Sequence, residues 1–128
     1  MLDENTPING LSKTIVDFWK WAYSDLLMNN HRGVFAEFIV ASSLGVEETQ
    51  RIEWDVADVS FKGHSIEVKS SAFVQSWDQN KLTTPDFDIS KKHVFGEYGH
   101  SKKRNSDIYV FCLLKEKVYH KVDPLNLE

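Results

Sequence analysis

The stretch "WDVADVSFKGHSIEVKSS", from Trp54 to Ser71, reads as two strands joined by a tight turn. "VADVSF" and "HSIEVKSS" carry the β-branched and aromatic residues of strands, and Lys62 with Gly63 falls where a two-residue hairpin turn belongs. A period of two sets Ile66 and Val68 on one face of the second strand and Glu67 and Lys69 on the other. If the turn is tight, Phe61 pairs near His64 and Asp58 lies level with Glu67, whereas Asp55 falls near Ser70. Two opposed carboxylates repel. Either this is a solvated hairpin face on which Lys69 pairs with an acid, or a divalent cation sits between the acids. Mg²⁺ takes such oxygens at about 2.0 to 2.1 Å. Spacing alone does not separate the two readings, because a Glu-x-Lys triplet arises by chance roughly once per 250 to 300 residues.

Working outward toward the N-terminus, "VFAEFIVASSLG" predicts a helix that is apolar nearly all round and ends at Gly45 in a left-handed cap. Glu37 has Gly33, Val34, Val40 and Ala41 as its helical neighbours, so its carboxylate is expected among small and apolar groups. A buried carboxylate must be protonated, paired with a cation such as Arg32, bonded to the backbone, or bound to metal. Before the break "MNNHRG", Ile15, Phe18, Trp19, Ala22 and Leu26 recur at helical spacing from Ser12 to Leu27, with Ser12 as N-cap. "TQRIEW" predicts a first short strand. "PDFDIS" alternates weakly, and "SDIYVFCLL" predicts a buried strand.

A helix glutamate, a short strand, an aspartate on the next strand and Glu-x-Lys on the third resemble the PD-(D/E)xK nuclease superfamily. In closer detail "RGVFAEFIVA", "EWDVAD", "IEVKSSA" and "DIYVFCLL" resemble a group of small bacterial proteins within it. The resemblance implies an α/β, restriction-endonuclease-like fold: a central mixed β-sheet flanked by helices, with an αβββαβ core. No amphipathic helix is evident between Lys69 and Ser106, where that core has one, and no proline precedes Asp58. Carried over by position, Glu37 matches the helix acid, Glu67 and Lys69 the Glu-x-Lys pair, and Asp58, or alternatively Asp55, the preceding aspartate. The implied activity is divalent-metal-dependent hydrolysis of DNA phosphodiesters. Asp58, Glu67 and Glu37 would hold Mg²⁺ or Mn²⁺, and Lys69 would orient the attacking water or stabilise phosphate charge. Gln75 stands where some relatives use a glutamine. The alternative is a nuclease-like module that binds nucleic acid or protein without cleaving.

The remaining composition fits one domain spanning residues 1–128, either ending loosely at "KVDPLNLE" or cut short there. Hydrophobic residues at 41% and aromatics at 12% argue against disorder and predict aromatic-rich packing. Cys112 is alone, which excludes an intrachain disulfide framework and fits the reducing cytoplasm. No run approaches the roughly 18 apolar residues of a membrane helix, so no membrane partner is expected. A formal charge of -4 disfavours binding through a broad basic surface. If three of the 19 acids hold metal, however, 16 remain against 15 basic residues. Lys102, Lys103 and Arg104 form a local patch suited to phosphates, or a solvated loop. The five scattered histidines read as surface residues. Trp77 reads as a core aromatic, with base stacking as the alternative. A homodimer that cuts both strands is compatible with the sequence, though no interface is visible in it.

Overall fold

The computed structural model of the chain describes residues 1–48, 50–52, 55, 57–93 and 102–128, with the backbone alone at Lys92 and His93. Two helices come first. Helix α1 (Ile15–Tyr23) starts later than the apolar periodicity predicts, with Thr14 and not Ser12 as its N-cap. Asp17 explains the shift, because it stands three residues after Thr14. Its carboxylate accepts from the Thr14 N–H (2.9 Å) and hydroxyl (3.3 Å), whereas Ser12 has only Ile15 at that spacing. Helix α2 (Asn29–Leu44) absorbs most of the expected break. Its first turn is weak by propensity, with two asparagines and Gly33. Contacts with the segment just before it hold it: Arg32 donates to Leu27 O (2.9 Å), and the His31 ring bonds Asp25 O (2.9 Å) and packs on Tyr23. At the other end Gly45 adopts φ 69° and ψ 36°, and the amide of Val46 bonds Ala41 O, the left-handed cap anticipated.

The hairpin forms in the expected register. β1 (Val59–Phe61) pairs antiparallel with β2 (His64–Ala72), Phe61 opposite His64 and Val59 opposite Ile66. Lys62 (φ 49°) and Gly63 (φ 81°) both take the left-handed region, as a type I′ turn requires. β1 is shorter than predicted, beginning at Val59. Gln50 to Ile52 are not in a strand, while Thr49, Glu53, Trp54 and Val56 of these two expected strands lie outside the described residues.

β3 (Lys92–His93) and β4 (Lys102–Lys103) make a separate two-residue ladder. β5 (Ile108–Leu114) runs parallel to β2, with Glu67 opposite Tyr109 and Lys69 opposite Phe111. The order β1-β2-β5 makes a three-stranded mixed sheet, so the class is α/β. A single-turn 3₁₀ helix (Tyr119–Lys121) follows.

Alternation along the sheet divides the protein. On one face Val59, Ile66 and Val68 are buried against Ala36 of α2, with Val40, Ala41, Leu44, Val110 and Cys112 packed around them. The opposite face presents Glu67, Lys69, Tyr109 and Phe111. A parallel crossover usually places a helix there. Among the described residues none joins β2 to β5. Residues 85–90 take that place instead, running without a ladder but with Pro85, Phe87 and Ile89 turned inward and Asp86, Asp88 and Ser90 outward. Phe87 packs on Phe111 at 4.8 Å, and the Asp86 amide bonds the Ser71 hydroxyl (3.3 Å). The weak alternation of "PDFDIS" therefore marks a covering segment and not a strand.

Core composition also departs from expectation. Among the described residues the buried cluster is aliphatic, while Trp21 and Trp77 are 84% and 53% exposed and no residue of α1 is buried. No helix among the described residues is long and apolar enough to cross a membrane.

Candidate active site

Asp58 immediately precedes β1, and extending the hairpin register by one step sets it across from Glu67. Because β1 stops at Val59 while β2 continues, the Val68 N–H loses its ladder partner on that side. Asp58 supplies the replacement: its Oδ2 accepts from Val68 N at 2.7 Å. The residue is exposed at the strand's end, yet its carboxylate is turned inward by this bond and partly shielded. Burial pushes the Asp58 pKa above the ordinary aspartate value, and the charges of Glu37 and Glu67 push it further the same way. The Val68 hydrogen bond and the Lys69 charge oppose them without prevailing. Asp55 is exposed, its amide bonding Ile52 O at 3.4 Å, and it has no part in the shift at Asp58.

The other two expected acids are engaged with cations. Glu67 and Lys69, two apart on one strand face, form an ion pair with side chains 20% and 25% exposed. Glu37 projects from α2 with its side chain 13% exposed and is held by the Arg51 guanidinium at both oxygens, Nη2 to Oε1 at 3.0 Å. The partner of Glu37 is thus Arg51 and not Arg32. The structure brings Asp58 into the field of all three groups, yet it does not gather the acids into one ligand set. Among the described residues no group of three or more His, Cys, Asp or Glu side chains is placed to hold a metal ion.

Glu67 borders a narrow crevice walled by Asp88, Ser90, Lys103, Arg104, Asn105 and Tyr109. Part of the expected phosphate patch therefore lies beside Glu67. Arg104 is fixed there by donating Nε to Ile89 O (3.1 Å), while Lys102 and Lys103 are exposed on β4. Gln75 is 3% exposed, and its amide group faces inward, accepting from Arg32 (3.3 Å) and donating to Ala72 O (3.1 Å).

Sequence reasoning overlooked three residues. Arg51 gave no signal, since its distance along the chain from Glu37 says nothing about their meeting. Asp88 was visible as the outward position of "PDFDIS". Tyr109 becomes the neighbour of Glu67 only through the parallel register.

Chemically, the arrangement offers carboxylate oxygens beside an ammonium and a guanidinium on a half-covered sheet face. Comparison with models of protein families, with curated proteins and with solved structures finds no match.

Proposed function

We propose that this chain is a divalent-metal-dependent phosphodiesterase of the PD-(D/E)xK type that acts on DNA. The observation that carries the reading is Asp58, a carboxylate whose ionised form is opposed by its own shielding and by Glu37 and Glu67. A cation relieves that opposition. The donors fit a hard ion such as Mg²⁺ or Mn²⁺, which selects carboxylate oxygen. Asp58 and Glu67 would hold it, and Glu37 would join only by giving up Arg51. When bound, such an ion supplies Lewis acidity and lowers the pKa of its water. Lys69, freed from Glu67, presents its ammonium to the developing phosphate charge or orients the attacking water. Lys102, Lys103 and Arg104 meet neighbouring phosphates, and Asp88 and Tyr109 border the reacting group.

A plasmid-nicking assay with Mn²⁺ tests this reading. Wild-type protein nicks DNA, whereas Lys69→Ala keeps the Mn²⁺-induced rise in Tm and loses cleavage. A second reading has its own support in the Arg51–Glu37 and Lys69–Glu67 pairs, which balance two of the acids internally. It is a binding module that recruits nucleic acid or protein without cutting. Absence of both Mn²⁺ stabilisation and cleavage on single-stranded, duplex, flapped and branched DNA would select it.

A further inference from the structure

Arg32 is the most deeply buried charged side chain described, at 7% exposure. Four of its five N–H groups are engaged: Nε with Ser70 Oγ (3.3 Å), Nη1 with Leu27 O (2.9 Å) and Gln75 Oε1 (3.3 Å), and Nη2 with Asn29 Oδ1 (2.6 Å). Every one of these acceptors is neutral. Among the described residues no carboxylate lies within ion-pair distance of it. Burial disfavours the charged form of Arg32, but a guanidinium does not discharge near neutrality. Hydrogen bonds thus satisfy most of its donors while its charge stays uncompensated, a costly state for a buried ion.

Arg32 and its partner Ser70 help to line a cavity of about 550 Å³ between α2, the C-terminal half of β5 and residues 121–128. That volume is within the range of small-molecule sites. Phe35, Ile39 and Leu127 give it apolar walls, and the exposed Lys115 and Lys121 also line it, with no ion pair among the described residues. Three acids also line it. Backbone amides orient two of them without removing their charge: Glu116 accepts from Lys117 (2.7 Å) and Val118 (2.8 Å), and Asp123 from Leu125 (3.0 Å).

From this arrangement we infer that the cavity binds a small organic anion, a phosphate or carboxylate head on an apolar or ring-bearing body, with Arg32 at its base and Lys115 and Lys121 at its mouth. The remaining Nη2–H of Arg32 and its unpaired charge meet the head group, and the apolar walls cover the body. The site lies on the α2 side of the sheet, opposite the face of Glu67 and Lys69, and does not depend on the phosphodiesterase reading.

Matched pairs that differ only in the head group supply the test, read by isothermal titration and thermal shift on the whole chain: adenosine 5′-monophosphate against adenosine, and octanoate against octanol. Binding of the monophosphate but not adenosine assigns a phosphate head, and binding of octanoate but not octanol assigns a carboxylate. Equal behaviour within both pairs overturns the proposal. The double variant Lys115→Glu/Lys121→Glu alters exposed residues only. It keeps the wild-type Tm and weakens binding of the successful anion by roughly tenfold or more, since charge-assisted contacts are the strong ones. Unchanged affinity in that variant would also overturn the proposal. Arg32→Lys, which keeps the charge but loses the fork, is expected to bind more weakly than wild type.

Discussion

Replacing Asp58 by asparagine is expected to stabilise the protein in metal-free buffer, against the rule that removing a hydrogen-bonded acid from a strand end costs stability. Asparagine keeps an oxygen for the Val68 N–H and removes a charge that burial, Glu37 and Glu67 all disfavour. The upward direction of the Asp58 pKa already includes the opposing pull of Val68 and Lys69, so the net effect of losing the charge is favourable. Solvent screens a carboxylate at an exposed strand end, which limits the expected gain to about 1 kcal/mol, or roughly 3 to 6 °C in Tm at this chain length. The sign with pH follows from the raised value. Wild type has its full stability from this group below the unfolded pKa and loses it as pH rises through the folded pKa, so the advantage of Asp58→Asn grows with pH and vanishes in acid. Under the proposed function divalent metal reverses the order, because an ion at 100 times its dissociation constant stabilises wild type by about 2.7 kcal/mol. Thermal melts of both proteins in EDTA at pH 5 and pH 8, repeated with Mn²⁺, read all of this. If Asp58→Asn is the less stable protein at pH 8 in EDTA, the electrostatic account of the site is wrong. If Mn²⁺ shifts both proteins equally, Asp58 is no ligand.

Other perturbations follow from individual contacts. Arg51→Gln leaves the Glu37 carboxylate without its guanidinium, so Tm in EDTA should fall by the equivalent of about 1 kcal/mol, while the Mn²⁺ response strengthens as a third acid becomes available. Calorimetry with and without metal would separate the two effects. Gly63→Ala forces an alanine to φ 81° with no compensating contact within 4 Å, at a cost of about 1 to 2 kcal/mol. Lys62→Asn at φ 49° should gain a few tenths, and denaturant midpoints measure both. Asp17 and Asp107 are held below the usual aspartate range by the hydrogen bonds of Thr14 and Ser65, respectively. Their contribution is present above the unfolded pKa and is lost as pH falls through the folded one, so Asp17→Asn and Asp107→Asn should flatten the acid limb of a Tm-against-pH curve, the opposite of Asp58. Burial pushes the Cys112 thiol up, and its reaction with a disulfide reagent at pH 7.5 should be slow and accelerate on unfolding.

The hairpin was legible because every determinant of it is local. A two-residue turn with Gly63 fixes the register, the register sets Asp58 across from Glu67, and strand alternation puts Lys69 on the same face as Glu67. The α2 cap at Gly45 was legible for the same reason. Interactions between distant segments decided the rest. Arg51 closes on Glu37 across 14 residues and residues 85–90 cover a sheet face on which the described residues place no helix, while Arg32, from a stretch that reads as a break, becomes a buried cation bonded to Ser70 and Gln75. Periodicity reports which way a side chain faces within its own element. Which charge it meets there depends on chain folding that brings residues tens of positions apart to one place, and no local pattern encodes that.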